Sequence, residues 1–308
     1  MKKRKRIRMW PVIYGIMLTA YAVFTLLDAF VIPQNIVSPG QTGGNSETHS
    51  EPPEFSDNTG MSEPIITENS YVSGDISITI SELARYDTRV YVADVVLKDP
   101  AYLKTGLAEG TFGRNINDTT SSIAEENSAI LAVNGDYYGF RDRGFVMRNG
   151  YLYRETAQRE NDQEDLVIYE DGAMEIVKES LSDAPELAKA GAAQIFSFGP
   201  GLLQSGELTV NEDAEVEQAM RSNPRTAIGE IEPLHYVFVV SDGRTRESAG
   251  LTLYELAQVM RELGCRTAYN LDGGGSSTMW FMGKIVNHPT DGWSDGERRI
   301  SDIVYIGE

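Results

Sequence analysis

The amino-acid sequence predicts an α+β domain, a mixed and largely antiparallel sheet with a few packed helices, preceded by one transmembrane helix and a disordered stalk. Three observations lead there. One stretch of nineteen uncharged residues, Met9 to Leu27, lies near the N-terminus. A segment rich in Pro, Gly, Ser and Thr, almost without aromatics, follows it. Beyond Tyr71, short β-rich runs separated by turn dipeptides outnumber helical patterns.

Taken in order, residues 1–8 form a basic tail with Lys2, Lys3, Arg4, Lys5, Arg6 and Arg8. The uncharged run makes a helix of about 28 Å at ~1.5 Å per residue, close to the ~30 Å hydrocarbon core. Asp28 stands at its outer edge, where a carboxylate costs far less than the ~2.5–3.5 kcal/mol of mid-bilayer. Residues 9–32 therefore read as a single-pass anchor in the cell membrane. The basic flank keeps the N-terminus cytoplasmic and puts the C-terminal domain outside the cell. A cleaved signal peptide has a shorter apolar core, ~7–15 residues, and a small-x-small site that is missing here. Residues 33–70 hold five of the twelve prolines. They bury too little apolar surface to offset their ordering entropy, and read as a linker. Residues 71–308 are left as one extracytoplasmic domain, long enough for a substantial core.

Within that domain strands are expected at Ile76 to Ile80, Arg89 to Leu97, Ile130 to Val133, Gln194 to Phe198, Arg225 to Glu230, His235 to Val240, Arg266 to Asn270, Thr278 to Phe281 and Asp302 to Ile306. Asn149-Gly150 and Asp171-Gly172 each join two β-rich runs as hairpin turns. The clearest helix runs from Thr252 to Leu263, opened by a Thr252/Glu255 capping box and closed by Gly264. Its stripe of Leu253, Leu256, Ala257, Met260 and Leu263 is core-facing. Shorter helices are expected at Ala184 to Ala190 and Thr120 to Asn127.

Charge and cysteine count exclude several functions. The whole chain carries −19, and the outer domain about −18, which excludes nucleic acid as a partner. An anionic substrate must then rely on a local positive site. Cys265 is the only cysteine, so disulfides and Cys-based zinc sites are ruled out. Three scattered histidines, His49, His235 and His288, give no metal-ligand spacing. No cofactor or metal is indicated, Ca²⁺ at the Asp-rich loops being the one chemistry left open.

Three polar clusters sit at the ends of apolar runs. Asn134-Gly135-Asp136-Tyr137-Tyr138-Gly139 offers a carboxylate beside rings that stack on sugars. Asn223-Pro224-Arg225-Thr226-Ala227-Ile228-Gly229 puts a guanidinium at the head of a buried strand, where it must be paired or face a ligand. Asn270-Leu271-Asp272-Gly273-Gly274-Gly275-Ser276-Ser277 combines a carboxylate, three glycines able to form an anion-binding nest, and two hydroxyls. It lacks the lysine of a Walker loop.

With Val240-Ser241-Asp242-Gly243-Arg244, these clusters resemble the ordered signatures of the phosphodiester glycosidase family, over roughly Ile130 to Ile306. The closing Arg298-Arg299-Ile300-Ser301-Asp302 is similar too. The resemblance implies a hydrolase that removes a sugar from a sugar–phosphate diester. A vertebrate member is anchored at its C-terminus and disulfide-rich, so this chain looks like a bacterial cell-surface relative acting on an envelope glycopolymer or exopolysaccharide. The residues suit the reaction: the leaving phosphate is already stable as an anion, so a carboxylate and phosphate donors are the main needs. Asp136 and Asp272 are the catalytic candidates. Arg225, Gly273, Gly274, Gly275, Ser276 and Ser277 are candidates for the phosphate, Asn134 and Tyr137 for the sugar, and Asp242 and Arg244 for a second clamp. A non-catalytic glycan-binding domain and a glycosyl or phosphoglycosyl transferase acting on wall polymers use the same residue types.

Overall fold

The computed structural model describes residues 9–35, 63–158, 163–214, 222–291 and 294–308. Its backbone is dominated by three antiparallel sheets. The largest has nine strands, in the order Glu207–Leu208, Gly201–Gln204, Thr267–Asn270, Arg225–Glu232, His235–Ser241, Thr88–Leu97, Ile76–Arg85, Ser70–Val72 and Ile65–Ile66. A five-stranded sheet runs Lys284–Ile285, Met279–Phe281, Leu131–Asn134, Asp302–Ile306, Leu103–Leu107. The other runs Tyr151–Arg154, Val146–Arg148, Ala192–Phe196, Glu164–Tyr169, Met174–Lys178. Among the described residues every strand pairing is antiparallel, at the antiparallel end of what the sequence predicts.

The strands are long apolar runs because the central sheet is covered on both faces. Along Thr88–Leu97, Tyr91, Ala93, Val95 and Leu97 enter the main core, shared with Val133, Leu166, Phe238 and Val304. Val90 and Val92 point the other way, toward a second core under a helix. Alternation thus survives as two apolar faces. That helix, Leu253–Glu262, buries Leu253, Leu256, Ala257 and Met260 as predicted, each Leu or Met contributing ~1.5–3 kcal/mol. Its capping box is formed in full: Glu255 N donates to Thr252 Oγ1 (3.1 Å), and Thr252 N to Glu255 Oε2 (2.8 Å). Cys265 lies in the same core, its thiol pushed up to about 12 by burial. Both hairpins form, with Asn149 (φ 50°) and Gly150 (φ 78°) in the left-handed region that such a turn requires.

Two strands fall inside the segment expected to be linker. Ile65–Ile66 pairs with Ser70–Val72 at the edge of the large sheet, so ordered structure begins before Tyr71. Gln34–Asn35 pairs with Gly113–Arg114. Composition reports apolar burial, and these segments are held instead by backbone hydrogen bonds. Residues 36–62, the rest of the expected linker, lie outside the described residues, as does the basic tail 1–8. At the N-terminus a 22-residue helix spans Met9–Phe30 and exposes Ile13, Tyr14, Ile16, Met17, Leu18, Tyr21, Phe24 and Leu26. Among the described residues no helix is long and apolar enough to cross a membrane.

The fold places the three polar clusters together. Leu131–Asn134 pairs with the last strand, and the loop after it meets the loop after Thr267–Asn270, where Asp272 N donates to Gly135 O (3.2 Å). The meeting point is a seam between two sheets, held from both sides.

Candidate active site

A cleft of about 440 Å³ opens at this seam, lined by Asn117, Asp136, Tyr137, Phe140, Asp272, Ser276, Asp291, Arg298, Arg299, Ile300 and Ser301. Both carboxylates predicted to be catalytic therefore line one cleft. A second cleft of about 530 Å³, lined by residues from 99–104, 149–150, 168–172 and 193–194, contains none of the motif side chains. We place the chemistry in the first, because the motif side chains Asp136, Tyr137, Asp272 and Ser276 converge there.

Asp272 is the best-presented acid. Its Oδ1 accepts from Gly273 N (2.8 Å) and its Oδ2 from Ser276 Oγ (2.6 Å). These bonds fix the plane of the carboxylate. Burial raises its pKa, while the Ser276 hydrogen bond and the charge of Arg298 pull the other way. A carboxylate with a raised pKa and a fixed orientation is the combination expected of a catalytic acid or base.

Asp136 differs. Its Oδ2 accepts from Arg148 Nη2 (2.8 Å) and Ser197 N (3.1 Å), and its Oδ1 from Tyr138 N (2.9 Å). Arg148 also donates through Nε to Asp302 Oδ2 (2.7 Å) and through Nη1 to the carbonyls of Met147 and Ile195. The three side chains are almost fully buried. Burial raises the Asp302 pKa to about 7 in spite of the Arg148 charge. Asp136 thus lines the cleft as one arm of a buried ion triad, its carboxylate oxygens already taken by Arg148 Nη2, Ser197 N and Tyr138 N.

The residues expected to hold phosphate are placed differently from expectation. Arg225 is buried, its backbone N donating to Ser241 Oγ and its Nε to Leu251 O (both 3.0 Å), and it does not line the cleft. The glycines do not form the expected nest: Gly273 N donates to Asp272 Oδ1 and Gly274 N to Pro224 O (both 2.8 Å). They serve close approach instead. Gly274 has φ +66°, and a Cβ there would stand 2.9 Å from Arg244 Nη2. At Gly275 a Cβ would stand 2.5 Å from Asp291 Oδ1 and 3.0 Å from Arg298. Arg244 and Arg298 therefore lie over the loop, close enough that the charge of Arg298 helps burial lower the pKa of Arg244. Arg298 holds Asp291 Oδ1 with Nε (2.9 Å) and Nη2 (2.8 Å), which leaves Nη1 outside that pair.

Other expected contacts turn inward. Asn134 is wholly buried: its Nδ2 donates to Asp272 O (2.7 Å), and its Oδ1 accepts from Thr226 Oγ1 (2.7 Å) and Thr278 N (3.2 Å). It ties the strand at Thr226 to the loops at Asp272 and Thr278, and its side chain is turned away from the cleft lining. Asp242 is buried, accepting from Tyr91 Oη and His288 N, and does not form the second clamp. Ser277 is buried outside the cleft. Tyr137 lines the cleft, stacked on Phe140 at 4.7 Å with Arg141 over its ring. Arg298, Asp291, Phe140 and Asn117 also line the cleft, though none is among the expected site residues; the only sequence signal was the likeness of the Arg298-Arg299-Ile300-Ser301-Asp302 stretch to the family. Among the described residues no three His, Cys, Asp or Glu side chains are grouped to share a metal ion.

The fold and the cleft define a class: an antiparallel α+β domain whose seam holds an oriented carboxylate, an aromatic wall and an arginine rim. Residues 127–307 match the family described as phosphodiester glycosidase, and the chain belongs to that family. It is 32% identical over 205 residues, 63% of its length, to an uncharacterized SPbeta prophage-derived protein of Bacillus subtilis, YomE, covering 30% of that protein. It is 29% identical to mouse N-acetylglucosamine-1-phosphodiester alpha-N-acetylglucosaminidase over 62% of this chain and 40% of the mouse enzyme. The chain thus spans well under half of these relatives. Its fold resembles the catalytic domain of the zebrafish enzyme of that name, auto-inhibited by its pro-peptide (TM-score 0.59, 22% identity, 76% of this chain and 83% of that one). A hypothetical protein from Synechocystis shares the fold as well (TM-score 0.54, 14% identity, 76% and 62% covered).

Proposed function

We propose that this chain is a cell-surface hydrolase, anchored by residues 9–32, that cleaves the glycosidic bond of sugar-1-phosphate diesters in an envelope glycopolymer or exopolysaccharide. The observation that carries the reading is Asp272, a buried carboxylate of raised pKa held by Ser276 and Gly273 in a cleft rimmed by Arg298. Family membership supports the bond class. The basic tail followed by an uncharged run, continued as a helix with exposed apolar side chains, supports the anchor.

In this reading the sugar ring lies on Tyr137, and its anomeric phosphate is held by Arg298, with Arg244 behind Gly274. The ionised Asp272 acts at the anomeric carbon, as nucleophile or as base toward water. As the C1–O bond breaks, its electron pair leaves on a phosphate oxygen that Arg298 stabilises. Because that oxygen needs little protonation, one working carboxylate serves. The Asp136–Arg148–Asp302 triad keeps the cleft floor rigid.

The test is release of reducing sugar from a synthetic sugar-1-phosphate methyl diester by the chain and by Asp272→Asn. Turnover that is lost in the variant supports the reading. Saturable binding without turnover replaces it with a glycan-binding domain.

A further inference from the structure

We infer that the cleft opens at the membrane surface and that its substrate is a glycosyl phospholipid, a sugar joined through its anomeric phosphate to a membrane-embedded apolar chain. This rests on the bond class and anchor proposed above, and adds where the substrate resides.

The observation is how the N-terminal helix joins the domain. The helix ends at Phe30, and after only three intervening residues Gln34–Asn35 is already paired with Gly113–Arg114. Asn115 Nδ2 donates to Ile32 O (3.2 Å). The join is tight: a Cβ at Gly113 would stand 2.2 Å from Gln34 O. From there the connection to the cleft is short. Asn115 N donates to Gly139 O (3.1 Å), in the short helix Tyr138–Phe140 of the cleft wall. Asn117 Nδ2 donates to Asn115 O (3.2 Å), and Asn117 lines the cleft. Two residues span at most ~7 Å. The cleft rim is therefore tied to the outer end of the helix through one hydrogen-bonded loop.

That two-residue step is on the scale of the headgroup layer, ~5–8 Å on each side of the hydrocarbon core. A domain on a free stalk has no fixed orientation, whereas this join leaves no slack between helix and cleft. The rim also carries apolar surface suited to such a neighbour: Val31 and Ile32 are exposed at the helix end, and Phe140 is exposed on the cleft wall. A diester in free solution needs neither the fixed orientation nor the apolar rim. A lipid-linked diester needs its sugar and phosphate in the cleft and its first chain carbons beside it. The step balances as hydrolysis: the water oxygen bonds to C1, and the C1–O bond breaks with its pair going to phosphate. The sugar keeps one water proton as its hydroxyl, the other is released, and the lipid phosphate stays in the membrane as a monoester.

The experiment uses the full chain in phosphatidylcholine vesicles. Turnover of a polyprenyl-phosphoryl sugar in the same vesicles is compared with that of the methyl diester of the same sugar phosphate in solution. A second form carries ten Gly/Ser residues inserted after Ile32, a coil of about 17 Å from ~5–6 Å × √n, which frees the domain without touching its fold. Gly113→Val, which pushes Gln34 off its partner, is the second variant. The lipid-linked substrate is expected to be favoured at least about tenfold, a small part of the ~10²–10⁴ that confinement gives. Both variants should bring the ratio toward one without changing the rate on the soluble diester. Equal rates on the two substrates, or an unchanged ratio in the insertion form, overturn the inference while leaving the glycosidase reading intact. No turnover of either diester overturns both.

Discussion

Replacing Arg148 with Met should destabilise the domain far more than an ordinary surface change, and the loss should depend on pH. The guanidinium is almost completely buried and pairs with Asp136 at 2.8 Å and Asp302 at 2.7 Å. Methionine fills part of the space and leaves two carboxylates in a site that water does not reach. Removing one partner of a buried pair costs ~3–5 kcal/mol, mostly the penalty of the uncompensated charge. For a domain of this size each kcal/mol moves Tm by ~2–4 °C, so the expected drop at pH 7.5 is about 6–20 °C. The sign with pH follows from proton uptake. Even with Arg148 present, the Asp302 pKa is raised to about 7, so its ionised form is the costly one in the folded state. The folded variant then binds more protons than the unfolded chain between ~4 and at least 7, and its stability falls as pH rises through that window. The gap to the parent should narrow at pH 5, and Arg148→Met/Asp302→Asn should recover part of the loss. Thermal unfolding of the full chain in detergent, followed by near-UV circular dichroism, reads all three. A loss under about 1 kcal/mol, or one that is the same at both pH values, would refute the triad argument.

Four further outcomes concern the candidate site residues. Asp272→Asn should lower kcat by about 10²–10⁴-fold while Tm stays within a few degrees, because Asn keeps an acceptor for Gly273 N; parallel loss of both points to a structural role. The acid limb of kcat/KM should lie above the ordinary carboxylate range of ~4, since burial holds a proton on Asp272 that the reaction needs removed. Ser276→Ala should move that limb to higher pH, because the serine hydrogen bond lowers the Asp272 pKa; a limb that stays in place argues against Asp272 as the titrating group. Arg298→Gln should weaken kcat/KM by about 10–150-fold, as for a lost charge-assisted hydrogen bond, whereas Arg225→Lys should act mainly on Tm.

How far the sequence reveals these elements depends on whether the cause is local. The Leu253–Glu262 helix, with its capping box and stripe, and the Asn149-Gly150 turn are set by neighbours within a few residues, and both are legible. The motifs also locate the cleft, because Asp136, Tyr137, Asp272 and Ser276 all line it. What a motif cannot show is which of its side chains turn inward. Asn134 and Asp136 are two residues apart; one is consumed by Thr226 and Thr278, the other by Arg148. Arg148 stands on a hairpin strand, and Asp302 is 154 residues away from it. No local pattern encodes that triad. The glycine loop is legible as a place of close approach, but its partners, Arg244 and Arg298, come from distant loops. The edge strands Gln34–Asn35 and Ile65–Ile66 escape a reading by composition because backbone pairing, not apolar burial, holds them.

In the proposed reaction the bond broken is between the anomeric carbon and oxygen, not between phosphorus and oxygen. Hydrolysis of the methyl diester in ¹⁸O-enriched water, with mass analysis of both products, decides it. The label is expected in the released sugar at its anomeric hydroxyl and not in methyl phosphate, the whole activity disappearing in Asp272→Asn. Label in the phosphate product, with the sugar unlabelled, would make the protein a phosphodiesterase acting at phosphorus and contradict the account.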